Sequence, residues 1–330
     1  MGDIPEIYQS WNPRHINTDG QMVMWLNPNS IDETSSGTSV AEWPDDGNLG
    51  YKAVQPVAED KPEYYHSDLY GEPCLNFDDA NTEYLTCGVI PELEVGLEDF
   101  GYAAIVMFAV RQSAVQVVLH KQHRTEGGSS GGGITFRQMG DGGAHNNERR
   151  SQAGNATTKA LFAEGSDTQD TNVFHLFTSS RTNGVLNCWV DGTWTASNAT
   201  DGSDNYNINN LYPAGTPISF IIGGVGPDGT DKCMDGILGD IVVVSGTMGK
   251  GSRQKLEGFL AHKWSGIRGS IDPNLVGSLP ATHPYKTVKP SGSLGITMGD
   301  GSSGTASSLY GECAGGLNWF TNEVQSASRG

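Results

Sequence analysis

Apolar residues come in short runs along this chain, each closed by Gly, Asn, Asp or Pro, which predicts strands rather than helices. The runs are QMVMWLN, VAEWPDD, CLNFDD, EYLTCGVI, YAAIVMFAV, AVQVVLH, GITFRQM, KALFAE, NVFHLFTSS, VLNCWVDG, ISFIIGG and GILGDIVVVSG. Apolar and polar positions alternate most clearly in VLNCWVDG and the following TWTAS. Asp191-Gly192 between them is a strong two-residue hairpin signal. AAIVMFAV and IVVVSG are apolar throughout, so both are expected as central strands covered on two sides. Only one stretch changes period. In GSRQKLEGFLAHKWSG, Leu256, Phe259, Leu260, Lys263 and Trp264 recur at helical spacing, with Ser252 as N-cap and Gly266 as stop signal. A single amphipathic helix among many strands predicts a lid on one sheet of an all-β, two-sheet antiparallel sandwich.

Three stretches follow from the pattern. Residues 1–20 are polar with a few anchors and are expected as an arm; residues 21–290 carry the strands and the helix. Residues 291–330 shift to Gly and Ser and are expected as an extension whose apolar end docks on something.

Composition adds mainly exclusions. Forty-five glycines and a hydrophobic share of 36% fit a loop-rich β protein of 330 residues. A formal net charge of −18 repels phosphate backbones and anionic lipid heads, so nucleic acid and membrane are poor partners. The start, MGDIPEIYQSWNPRHIN, has neither the basic residues nor the apolar run of an export signal, and the expectation is a protein kept soluble. Cys74, Cys87, Cys188, Cys233 and Cys313 are odd in number and widely spaced, and are expected as reduced thiols.

The order of the marks carries a resemblance. MVMWLNPNS is followed by VAEWPDDGNLGYKAVQP and EPCLNFDDANTEYLTC, then by the Asp191 hairpin, SFIIGG, the closing helix and LPATHPY. The series resembles the laminin-G-like, concanavalin-A-like jelly rolls over roughly residues 21–290. The resemblance implies a binding or structural module, commonly directed at carbohydrate. With the two terminal extensions it points to a phage virion structural protein, a capsid decoration or fibre component. Its expected partners are further copies of itself, other virion proteins and host surface polysaccharide. The alternative is a bacterial carbohydrate-binding or adhesion module.

Candidate chemistry follows from these readings. Tyr64, Tyr65, Tyr206 and Tyr212 fall in polar stretches and are the expected sugar-stacking residues, whereas Trp25, Trp43, Trp189, Trp194 and Trp264 are expected in the core. The resemblance points to Ca2+ as the cofactor, and Asp201, Asp204, Asp228 and Asp231 offer clustered oxygen donors for it. Ile7, Trp11, Leu317, Trp319 and Phe320 are the expected assembly anchors. A glycoside hydrolase is a remote alternative: Glu92, Glu94 and Glu98 come near the spacing of a carboxylate-bearing strand, but Gly96 and Pro91 interrupt it. The expected reading of that segment is a solvated loop in a protein without enzymatic activity.

Overall fold

A computed structural model describes residues 11–16, 20–109, 115–122, 133–138, 149–154, 160–164, 171–199, 218–225, 233–265, 274–291, 295–297 and 303–305. The first half of the fold contains β1 (Gln21–Leu26), β2 (Thr38–Ser39), β3 (Glu42–Pro44), β4 (Lys52–Val54), β5 (Glu63–Tyr65) and β6 (Cys74–Phe77). Between β5 and β6 lies α1 (Ser67–Tyr70). Then come β7 (Leu85–Val89), β8 (Phe100–Phe108), β9 (Gln116–Gln122), β10 (Gly133–Gln138), β11 (Arg149–Gly154) and β12 (Ala160–Glu164). The second half adds β13 (His175–Thr182), β14 (Val185–Val190), β15 (Thr193–Ala199), β16 (Ser219–Ile222) and β17 (Gly236–Ser245). Two helices close it, α2 (Lys250–Lys263) and α3 (Leu275–Ser278).

The strands form two antiparallel sheets. In the first, the order is β15-β14-β13-β8-β17-β6-β5-β2, and β1 also pairs with β17. In the second, the order is β12-β11-β10-β9-β16-β7-β4-β3. A sandwich of two such sheets is the expected all-β, jelly-roll-like architecture. Residues 295–297 and 303–305, within the expected extension, pair as a separate small hairpin.

Side-chain period decides what each sheet covers. In β17, Ile241 and Val243 join the core between the sheets, while Val242 and Val244 join a second core under α2. In β8, Ala104 and Val106 face inward and Ile105 and Met107 outward. Both strands are therefore apolar at nearly every position, as a strand covered on both faces must be. β14 lies nearer the edge and alternates instead, with Leu186, Cys188 and Val190 buried and their neighbours only partly so. In the inter-sheet core, Phe136 stacks on Phe177 at 3.9 Å between centroids, with Tyr102 beside them.

α2 lies on the outer face of the first sheet and buries Leu256, Leu260 and Trp264, a stripe worth about 2 kcal/mol per side chain. Its start differs from expectation. The helix begins at Lys250 with Gly249 as N-cap and no side-chain cap, so Ser252 lies inside the first turn. Gly239 of β17 explains how closely the helix sits: a Cβ there would lie 2.2 Å from the Trp264 ring.

Over its described part the N-terminal segment is anchored on the helix side of the sandwich. Trp11 and Ile16 are buried in the helix-side core, Trp11 edge-on to Phe259 at 5.9 Å, and Arg14 pairs with Asp46 at 2.6 Å. Trp11, expected as an assembly anchor, is thus spent within its own chain. Cys74, Cys87, Cys188 and Cys233 are in no disulfide, and burial pushes the thiol pKa of Cys74 and Cys87 up. Among the described residues no helix is long and apolar enough to cross a membrane.

Candidate functional site

α2 organises the outer face through two buried carboxylates. Asp240 of β17 is fully buried and accepts from Trp25 Nε1 at 2.7 Å, Trp264 Nε1 at 2.6 Å and Lys263 Nζ at 2.7 and 2.9 Å. Lys263 gives a further bond to Asn27 Oδ1 at 2.7 Å. This ring of donors satisfies the buried charge, and removing one partner of such a pair costs about 3–5 kcal/mol. Glu257, also fully buried, accepts two bonds from Arg253 Nη1 at 2.5 and 2.6 Å and lies 3.2 Å from His283 Nε2. The Arg253 guanidinium in turn lies over the Trp189 ring at 4.1 Å.

A cleft of about 260 Å³ opens beside the C-terminal half of α2. Trp11, Tyr70, Phe259 and Trp264 supply aromatic edges, and Glu72, His262, Lys263, Ser265 and Lys289 supply polar groups, with Gly71 and Pro290 completing the wall. The polar groups differ in what they have left to offer. Lys263 is committed to Asp240 and Asn27. Glu72 accepts one bond from Asn29 Nδ2 at 3.0 Å and keeps acceptor capacity. Ser265 Oγ accepts from Val276 N at 2.7 Å, leaving its proton to donate. His262 Nε2 donates to the Tyr285 carbonyl at 2.9 Å, which leaves Nδ1 as an acceptor in the neutral ring. Lys289 is exposed at the rim. A concave, half-aromatic wall with a few fixed donors and acceptors is the make-up of a small-ligand site.

The expected site residues are placed differently. Tyr64 is only 3% exposed and packs between the sheets, so its reading as a sugar-stacking residue in a polar loop is corrected: β5 turns it into the core. Tyr65, next along the strand, is half-buried against the helix-side core. Tyr206, Tyr212, Asp201, Asp204, Asp228, Asp231, Ile7, Leu317, Trp319 and Phe320 lie outside the described residues. Among the described residues no cluster of His, Cys, Asp and Glu could hold a metal ion.

The tryptophans divide. Trp25, Trp43 and Trp264 are buried as expected, but Trp194 is 57% exposed on β15, the edge strand of the first sheet. Its expected place in the core is corrected.

Glu92, Glu94 and Glu98 do not line a strand. Pro91–Leu93 is a 3-10 turn, Glu94 pairs with Lys121 at 2.9 Å, and the Tyr51 hydroxyl donates to Glu92, a bond that holds the tyrosine pKa up at about 12. The loop is pinned by buried Arg181, which donates to the carbonyls of Gly96 at 2.7 Å and Glu98 at 2.9 Å; burial lowers its pKa to about 10.

No protein-family model and no curated protein sequence matches the chain. Among solved structures it is similar to the binding domain of Paraclostridial Mosquitocidal Protein 1, with a TM-score of 0.52 and 8% identity over 73% of this chain and 52% of that one. A Trypanosoma rangeli sialidase matches with a TM-score of 0.48 and 12% identity, over 81% of this chain and 37% of the sialidase. Domain 4 of an extracellular arabinanase from Geobacillus stearothermophilus, solved with arabinotriose, matches with a TM-score of 0.40 and 13% identity, over 73% of this chain and all of that domain. The chain spans about half the length of the first of these and 37% of the second. At 8% identity the likeness to the first of these is one of fold.

Proposed function

We propose that this chain is a non-catalytic, carbohydrate-binding β-sandwich that takes a sugar residue in the cleft beside α2. The observation that carries this reading is the lining of the cleft. Recognition of a sugar needs aromatic surface for its C–H faces and fixed hydrogen-bonding groups for its hydroxyls, and the cleft is lined by Phe259 and Tyr70 together with Glu72, Ser265 and His262. The structure it resembles in fold is itself described as a binding domain, which agrees with a binding role. The reading as a virion structural protein loses one of its supports, because Trp11 packs inward on Phe259 instead of standing free for a neighbouring subunit.

The test is a glycan microarray followed by calorimetry on the full chain. Glu72→Ala removes a charged acceptor that carries little of the fold, so affinity for the captured glycan should fall about tenfold or more while Tm holds. Absence of binding across the array, or binding that Glu72→Ala and Lys289→Ala both leave unchanged, would sink the assignment.

A further inference from the structure

We propose that the β14–β15 hairpin carries a second sugar-binding site, in which the Trp194 indole is the platform for the flat face of a pyranose ring. The proposal rests on the carbohydrate-binding reading for its ligand class, and takes none of its own residues from the cleft. Trp194 is the most exposed of the described tryptophans, and as the largest apolar side chain it would ordinarily be drawn into a core. Beside it on the outer face lies its cross-strand partner Trp189, and further along the hairpin Asn187 and Ser197 form a polar pair. A protein-binding hot spot sits at the centre of an apolar, desolvated patch. An exposed indole with a second indole behind it and polar side chains along the hairpin suits a polyhydroxylated ligand, which needs a flat apolar contact and hydrogen bonds beside it.

The platform is preorganised, which is what lets a single stacking contact count. Asp191 and Gly192 at the tip both have positive φ, 51° and 72°, as a tight two-residue hairpin turn requires. The Asp191 carboxylate is locked by Leu176 N and His175 Nδ1, each at 2.8 Å. Gly192 is wedged against the segment after α3: a Cβ there would lie 3.0 Å from Leu279 and 3.2 Å from His283. Trp194 is the cross-strand partner of Trp189 across a bulge, and Thr195 Oγ1 pins that bulge by donating to the Cys188 carbonyl at 3.0 Å. Trp189 is in turn fixed by the Arg253 guanidinium, which Glu257 clamps. Arg253 and Glu257, buried ion-paired groups that the cleft does not use, thus have a task as the support of an indole pair. Glu257 and Phe259 are two positions apart on α2 and do not share a face, so hairpin and cleft lie on different flanks of the helix.

Affinity electrophoresis of the full chain through gels holding xylan, arabinan, galactomannan or mixed-linkage glucan tests the platform. Wild type should be retarded by at least one polysaccharide. Trp194→Ala should weaken that retardation about tenfold, Trp194→Phe should restore most of it, and both should keep the wild-type Tm, since the ring carries no core. Glu72→Ala, run alongside, separates the two sites. If Trp194→Ala migrates as wild type while Glu72→Ala loses retardation, the platform is overturned and the cleft stands; the reverse result keeps the platform and removes the cleft. Retardation in none of the gels overturns both, and self-association that Trp194→Ala abolishes overturns the platform in favour of a contact between copies of the chain.

Discussion

Glu83 and Asp240 are both buried carboxylates, and their hydrogen-bond partners differ. Asp240 is ringed by indole and ammonium donors. Glu83, 4% exposed, has a bond from the Asp78 amide at 2.8 Å and help from Asn81, with the charges of Asp78 and Glu63 nearby. Burial dominates and lifts its pKa to about 7. The folded state therefore holds this proton more tightly than the unfolded chain does. Stability is fullest below the ordinary carboxylate pKa and declines as pH rises to about 7, by roughly 3 kcal/mol at most for such a shift. Glu83→Gln keeps an acceptor for the Asp78 amide and carries no charge. Its Tm should exceed that of wild type at pH 8 and converge with it near pH 5; thermal scans across that range check it, and parallel Tm curves for the two proteins would show that Glu83 does not titrate in this window.

The closing unit of α2 and residues 279–290 holds together through groups that only the fold brings into register. His262 reaches the Tyr285 carbonyl, His283 reaches Glu257, and Lys286 Nζ caps α3 by donating to the carbonyls of Val276, Gly277 and Leu279 at 2.6–2.8 Å. Tyr285 lies over Gly258, where a Cβ would come within 2.4 Å of the tyrosine Cβ. Gly258→Ala should therefore lift this segment off the helix, at a cost of about 1–3 kcal/mol. Limited proteolysis read by mass spectrometry should show cleavage within 279–290 well before wild type, and an unchanged cleavage pattern would refute the close docking. The apolar stripe of α2 was legible because Leu256, Leu260 and Trp264 repeat at helical spacing. Arg253 and Glu257 were not: charged residues on a helix suggest a solvated face, and here Trp189 and His283, distant in sequence, make them interior. β11 escaped notice for a related reason, since RRSQAG has no apolar run, yet it sits between β10 and β12. The sequence TWTAS showed a strand but not that it lies at an edge, so the exposure of Trp194 was hidden. The cleft is assembled from residues as far apart as Trp11, Glu72, Phe259 and Lys289, and no local pattern could announce it.

At the scale of the whole molecule, the first sheet is one wall shared by two cores. Its inner face packs on the second sheet through Ala104, Ile241 and Val243, and its outer face packs under α2 through Ile105, Val242 and Val244. The strands that anchor the helix are therefore the same strands that close the sandwich. Losing the helix would expose a whole face of β8, β13 and β17 to water, and losing the second sheet would expose the other. This arrangement predicts coupling: helix side and sandwich should unfold together, despite a chain longer than those that usually unfold in one step. In urea, near-UV circular dichroism, dominated on the helix side by Trp11, Trp25 and Trp264, should trace the same transition as the far-UV signal of the sheets. Leu260→Ala, which leaves a cavity under α2, should move both transitions to lower urea together, by the equivalent of about 2–4 kcal/mol. If the near-UV signal of the variant instead melts first, with the sheet signal left where it was, the shared wall does not couple the two cores and the helix is a separable cover.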